Sequence, residues 1–456
     1  MSPNLQQQAG DEPPVRLADL YDYFHTGSKP RQAWRVGVEL EKKVVRRSSG
    51  QPVRFDEPDG IETILRRLSE RFPWEPHYEN QHLTTLTCQG MTISLEPGGQ
   101  LEFATSPVVH LGEAELQLNQ HLEELQQVVD PVQIQFLSVG VSPKANIDEV
   151  GLNPRPRHRL MAEVMPSLSQ YGLHMMKCTC STQICLDYGN AEDAMRKFRL
   201  ALLLSPVIHA GFNNAPWYGN RPTGYHSYRS QIWQHMDPRR SGWVIPLLQK
   251  GFTIECWVNY ALDVPLLFIA DGLELKKAPD LTFRQFLEQG LPENSHRSSR
   301  YPTLSDWKLH LSTIFTEVRM KQFLEIRGAD AVPRPYSLAV PAFWKGILYD
   351  EASLDAAEAL VAHWPVEQLA EFADVVSHQG FDTPWQGKPL RFWWERCYEL
   401  AIAGLHRQAL AWGHPDEAGY LLPLRDEAYH NWRRTIESWS IRHDVRWEEM
   451  RELWAS

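Results

Sequence analysis

The sequence predicts an α+β protein, with strands gathered in its first three quarters and a tail made of helices alone. Three observations carry this. Strand-like stretches occur at Val36–Glu41, Leu95–Phe103 and Glu317–Arg327. Apolar residues at helical spacing fill several of the intervals between them, as at Ile61, Ile64, Leu65 and Leu68. From about residue 350 onward only helical periodicity remains.

Taken in order, residues 1–14 read as a disordered leader, polar and proline-containing, without the apolar segment of a signal peptide. A short helix is expected over 15–29, then strand, turn and strand over 34–57 with the turn at Arg47-Ser-Ser-Gly50. A helix follows over 60–72, strands over 84–105 broken at Pro97-Gly-Gly99, a helix over 110–128 and a strand over 133–140. Residues 157–166 read as helix. Met175–Asp187 reads as strand, with Gln183, Cys185 and Asp187 on one face and Thr182, Ile184 and Leu186 on the other. Ala191–Ala210 is helical, Asn213–Pro222 a turn-rich loop, 253–269 a strand then a helix, and 272–300 a mobile surface region. The tail helices are placed at Ala352–Ala362, Val366–Val376, Leu390–Ala409 and Asp416–Ser438.

Composition excludes several classes. The chain has 456 residues, 43% hydrophobic and 23% charged, as in soluble globular proteins. Its net charge of −11 argues against nucleic-acid and anionic-membrane partners. No apolar run approaches the roughly 18 residues of a membrane span. The six cysteines include no Cys-x-x-Cys pair, which suits mostly buried thiols in a reducing cytoplasm.

The acidic residues carry the chemistry. Residues two apart on a strand share a face, so Glu39 and Glu41 lie together, with Val36, Val38 and Leu40 opposite them. Glu325 and Arg327 share a face in the same way. Glu96 and Glu102 flank the turn at Pro97-Gly-Gly99, and Glu317 lies near Glu325 in sequence. Carboxylates converging on one face repel each other and cost desolvation energy, which divalent cations relieve; all-oxygen donors favour Mg²⁺ or Mn²⁺. The alternative is that they are solvent-facing strand glutamates. The pattern points to metal-assisted chemistry on a phosphate. The phosphate-cradling, dinucleotide and protein-kinase glycine motifs are missing, so ATP would bind through metals and arginines.

Four segments then carry a family resemblance over roughly residues 34–345: Gly37-Val-Glu-Leu-Glu41, Leu95-Glu-Pro-Gly-Gly-Gln-Leu-Glu-Phe103, Arg229-Ser-Gln-Ile-Trp233, and His310–Arg319 continued by Leu324–Asp330. In this order they resemble the glutamate–cysteine ligase family in its plant and proteobacterial branch. The resemblance implies a glutamine-synthetase-like catalytic domain over 15–349, an antiparallel sheet curled into a funnel with helices on its outer face, and a helical region at 350–456 packed on it. It implies metal ligands at Glu39, Glu41, Glu96, Glu102 and Glu325. Arg229 would grip the α-carboxylate of glutamate with two bonds and Arg157 would hold substrate or phosphate, although Pro156 and His158 stand where the family has Gly and Tyr. Gln183 would lie near substrate, metal or nucleotide. Arg327, with Arg319 behind it, would neutralise the transferring phosphoryl group. Glu317 is read equally as a ligand or as an ion-pair partner of Arg319. Asn213 and Asn214 are read as site-lining or, more simply, as turn formers.

The implied reaction is ATP- and Mg²⁺-dependent ligation of L-glutamate to L-cysteine through γ-glutamyl phosphate, by a monomer or homodimer. A γ-glutamyl ligase with another amine acceptor, and a non-catalytic ATP- and amino-acid-binding homologue, are the other readings.

Overall fold

A computed structural model describes residues 12–249, 251–272, 274–291 and 300–455. Its centre is β1 (Val36–Arg46), eleven residues rich in valine and almost wholly buried. Around it are β2 (Glu75–Glu79), β3 (His82–Cys88), β4 (Met91–Leu95), β5 (Leu101–Ala104), β6 (Ile134–Leu137), β7 (Thr182–Leu186), β8 (Val318–Met320) and β9 (Leu324–Ile326). The sheet runs β8-β9-β7-β1-β5-β4-β3-β2, with β6 paired to the far end of β1, and every pairing is antiparallel. A large antiparallel sheet with many helices is thus the architecture.

One face of this sheet is apolar. Val36, Val38, Leu40, Ile184, Leu186, Leu324 and Ile326 are all buried there. After α1 (Leu17–His25), the helices α2 (Ile61–Arg71), α3 (Leu111–Val129) and α6 (Ala191–Ala210) enclose the same core. The other face is roofed by α4 (Pro156–Leu168), α5 (Gly172–Cys178) and α7 (Tyr228–Gln234). Pro156 occupies the first turn of α4, where its missing N–H is not needed, so replacing the family's glycine leaves the helix start intact.

Several expectations are corrected. Met175–Asp187 is not one strand: α5 runs to Cys178, Thr179 Oγ1 bonds the Met175 carbonyl at 2.6 Å, and β7 begins at Thr182. Over 253–269 the order is reversed. Ile254–Asp263 is helical, with Ile254, Trp257, Val258, Ala261 and Leu262 buried on one stripe, and the strand Phe268–Asp271 follows. The second strand expected before residue 57 is a single bridge, Val45 to Pro52, since a proline cannot extend the ladder. The segment 272–300 contributes the strand Glu274–Lys277 and a helix, Phe283–Gln289, that buries Phe283 and Phe286; residues 273 and 292–299 lie outside the described part. Residues 1–11 of the expected leader also lie outside it, while Glu12 accepts hydrogen bonds from Ser305. The strand β2 and the helix Trp447–Trp454 were not foreseen.

The tail is tied into the sheet. Trp454 accepts from Ser138 N at 2.9 Å and donates from Nε1 to Asn214 Oδ1 at 2.8 Å, and Ala455 bridges Leu137. Asn214 also donates to the carbonyls of Ser138 and Ala331. The side chain of Asn214 is therefore structural, whereas Asn213, whose carbonyl accepts from Arg433 at 2.7 Å, lines a hollow with His209 and Glu317. Among the described residues no helix is long and apolar enough to cross a membrane.

The helix Ala339–Leu348 crosses Leu390–Trp412 through two glycines. A Cβ at Gly404 would overlap the Gly346 carbonyl. Gly404→Ala is expected to lower stability by about 1–3 kcal/mol through overpacking, read as a lower urea midpoint; an unchanged midpoint would show that the crossing can relax.

Candidate active site

The polar face of the sheet and the helices roofing it enclose a cleft of ≈ 810 Å³ counted to its open mouth. Register explains its acidity. Glu41 lies opposite Glu102 on β5, Glu39 opposite Gln183 on β7, and Glu325 opposite Cys185 on β7. Glu96 enters from the end of β4, where Gly99 N closes the turn on the Glu96 carbonyl at 2.9 Å. Gly99 adopts φ +82°, a conformation glycine accepts without strain. The structure thus brings together Glu39, Glu41, Glu96, Glu102 and Glu325 with Arg157, Gln183, Arg229, Arg319 and Arg327 on one cavity wall.

The carboxylates are not equivalent. Glu41 accepts from Ser181 N at 2.8 Å, Ser181 Oγ at 2.9 Å and Gln183 Nε2 at 2.7 Å. Burial works against the charge on Glu325, but Arg319, Lys321 and Arg327 together hold its pKa well below the carboxylate range. Arg319 Nε is paired with Glu325 Oε2, Lys321 Nζ lies 3.2 Å from Oε1, and Arg327 Nη1 lies 3.4 Å from Oε2. Among the described residues, Glu96 and Glu102 have no such ion pair. Burial and then Glu41 push Glu96 to about 7. Burial, then Glu39 and Glu96, push Glu102 to about 8, although Ser94 Oγ donates to it at 2.8 Å. Oxygens of Glu39 and Glu325 and the sulfur of Cys185 lie within 4.8 Å of one another. Buried carboxylate oxygens gathered in this number are hard donors of the kind divalent cations favour.

The arginines are fixed mainly by backbone. Arg327 Nη1 donates to Gln183 Oε1 at 3.0 Å. Arg319 Nη1 donates to the carbonyls of Ser312 and Ile314. Arg157 donates to Ser312 Oγ at 2.9 Å and to its carbonyl at 3.1 Å. Burial, then Arg319 and Arg155, lowers Arg157 to about 10. Arg229 spends both terminal nitrogens on the carbonyls of Gly328 and Arg327, at 2.9 and 2.8 Å. Each terminal nitrogen keeps a second N–H, and the buried Nε has no hydrogen-bond partner among the described residues, so Arg229 retains donors beyond these two bonds.

Two expectations change. Glu317 does not pair with Arg319 and does not line this cleft; its Oε1 lies 2.9 Å from His209 Nδ1 in an adjoining hollow. Asp187 leaves the Gln183 face to bind Lys29 Nζ at 2.7 Å and Arg35 N at 2.8 Å. Sequence reading missed Lys321, Ser181, Ser312 and Trp233, which also line the cleft. Lys321 was findable, because it alternates with Arg319 along the hairpin towards Glu325. His158, where the family has Tyr, is buried in the cleft wall with Nδ1 on Asn153 Oδ1 at 2.8 Å.

The family model of "Glutamate-cysteine ligase family 2 (GCS2)" matches residues 35–430. The chain belongs to this family. It is 36% identical over 407 residues to glutamate–cysteine ligase B of *Oryza sativa* subsp. japonica, covering 89% of this chain and 81% of that one. It is 36% identical over 420 residues to the *Medicago truncatula* glutamate–cysteine ligase, covering 92% and 80%. In fold it is similar to a glutamate–cysteine ligase of *Francisella tularensis* crystallised with AMP (TM-score 0.50, 11% identity, 92% of this chain and 91% of that one). It is also similar to a bifunctional glutathione synthetase of *Pasteurella multocida* (TM-score 0.52, 12% identity, 96% and 54%). The cytoplasmic location expected from composition is corrected by these relatives: the plant enzymes are chloroplastic. Cysteine usage does not distinguish one compartment from another.

The raised carboxylates set a sign for pH dependence. Glu96 and Glu102 hold protons more tightly folded than unfolded, so charging them opposes folding. In chelator-treated buffer, stability should fall as pH rises from the unfolded value near 4.5 through about 8. Mg²⁺ should restore the melting temperature most at the alkaline end, and Glu102→Gln should blunt both effects. A chelator-treated protein growing steadily more stable from pH 5 to 8 would contradict the assignment.

Proposed function

We propose that this acidic cleft activates a carboxylate with ATP, and that Glu39, Glu41, Glu96, Glu102 and Glu325 hold the divalent cations the reaction uses. The enzyme is an ATP-dependent glutamate–cysteine ligase: it joins the γ-carboxylate of L-glutamate to the amine of L-cysteine through γ-glutamyl phosphate, giving γ-glutamylcysteine. The observation that carries the site assignment is the convergence of five glutamates, from three separate stretches of chain, on one cavity lined by arginines. Mg²⁺ is the ion we favour, and Mn²⁺ suits the same oxygens. A divalent cation bound there would screen the charge between nucleotide phosphates and the incoming carboxylate.

The side chains divide the remaining work. A γ-carboxylate oxygen of glutamate attacks the γ-phosphorus, and the bond to ADP breaks. Arg327, steadied by Gln183, faces the phosphoryl oxygens on which charge spreads, and Arg319 adds positive potential behind it. Arg157 and Arg229 orient the amino-acid carboxylate, and Gln183 contributes a polar contact to substrate and nucleotide. The cysteine nitrogen then attacks the acyl carbon and phosphate leaves. Met161, Met175, Met176, Trp233 and Phe315 line the same cleft and keep water from the acyl phosphate. In this reading residues 15–349 carry the chemistry, with the sheet curled as a funnel around it, and residues 350–456 buttress it.

Glu96→Ala should reduce glutamate-dependent ADP release by at least about 100-fold while the protein stays folded. A near-normal rate would remove Glu96 from the site. In a panel of amines, cysteine should give the highest rate of γ-glutamyl product, and a faster acceptor would reassign the second substrate.

A further inference from the structure

We propose that the pair of buried His209 and half-buried Glu317, together with Gly328, forms a positioning clamp that fixes the backbone of Arg327 for catalysis, a role that rests on the function proposed above for Arg327. The ladder of β9 ends at Ile326, so Arg327 and Gly328 lie beyond the last regular pair. Gln183 and Glu325 hold the guanidinium, so its placement turns on how the backbone that carries it is held, since an error of about 1 Å in such a group can cost on the order of 100-fold in rate.

The backbone there is gripped from two sides. On one side, Arg229 from α7 donates to the carbonyls of both Arg327 and Gly328, while lying 3.9 Å from Asp330. On the other, Gly328 rests directly against the Glu317 carboxylate and the His209 ring. A single Cβ at Gly328 would overlap both of them. The need for glycine is therefore one of space, because no left-handed φ is adopted at this residue.

The pair is itself held firmly. His209 lies in the last turn of α6, 7% exposed, with Nδ1 2.9 Å from Glu317 Oε1 and its ring edge-on to Trp344. Glu317 precedes β8, and its carbonyl accepts from Arg327 N at 3.1 Å. One residue thus meets Arg327 through its backbone and meets the neighbouring glycine through its carboxylate. The clamp faces the adjoining hollow and leaves the phosphoryl-transfer surface to Arg327.

Glu317→Ala is expected to lower kcat by roughly 10-fold or more with little change in KM for ATP or glutamate. Glu317→Gln, which keeps the shape and a hydrogen-bonding oxygen, should retain most of kcat. The decisive measurement is a double-mutant cycle with Arg327→Ala. If the clamp acts through Arg327, Glu317→Ala should cost almost nothing further in the Arg327→Ala background. Equal losses in both backgrounds would overturn the proposal, as would a KM effect with kcat intact. If Glu317→Ala does not fold, His209→Asn replaces it in the same cycle with the same expected outcomes. Wild-type activity in Arg327→Ala alone would instead overturn the phosphoryl-transfer role of Arg327, so the two failures remain distinct.

Discussion

Electrostatic repulsion among carboxylates on one face of a sheet is the constraint around which this molecule is organised. Left to solvent, Glu39, Glu41, Glu102 and Glu325 would point outward from an ordinary amphipathic sheet. Here α4, α5 and α7 cover that face, and burial turns each charge into a liability. The chain answers unevenly. Glu41 receives three hydrogen bonds and Glu325 receives three cations, whereas Glu96 and Glu102 are left to hold protons near neutrality. A fold that wanted only stability would have neutralised all of them or replaced them with apolar residues. The incomplete compensation leaves Glu96 and Glu102 without an ion pair among the described residues, which distinguishes the cleft from a fully paired salt-bridge network.

Much of this was legible in the sequence because strand alternation is a short-range rule. Glu39 and Glu41 needed only each other, and Glu325 with Arg327 likewise, to be placed on one face. That β1 would pair with both β5 and β7 was not legible. The pairing of Glu41 with Glu102 and of Glu325 with Cys185 depends on long-range register, which no local pattern encodes. The family resemblance supplied that information indirectly by naming all five carboxylates together.

The errors follow the same logic. Phe252-Thr-Ile254 is β-prone in composition, yet the apolar spacing that continues through Leu262 belongs to a helix. Glu317 and Arg319 satisfy alternation along one strand, but the end of α6 brings His209 to Glu317, and β9 brings Glu325 to Arg319. In each case the tertiary partner outcompeted the local one. The tail is mostly helical, with one short hairpin pairing Pro384–Trp385 with Lys388–Pro389 that helical periodicity did not show, and nothing local could show that Trp454 reaches Asn214 and Ser138 beside β6.

The cations of the cleft show how rigidity and reactivity are reconciled. Arg157, Arg229 and Arg319 each donate to main-chain carbonyls, and two of them share the carbonyl of Ser312. A guanidinium anchored in this way loses its rotamer freedom during folding, so less remains to be lost when substrate arrives. A lysine makes such contacts with less directional control, because its single ammonium lacks the planar fork that fixes both bonds at once. Arg327 is the exception: its side chain is steadied by Gln183 and Glu325, and the carbonyl contacts fall on its own backbone through Arg229. Its guanidinium is thus held by side chains, while the peptide that carries it is held by a neighbouring arginine.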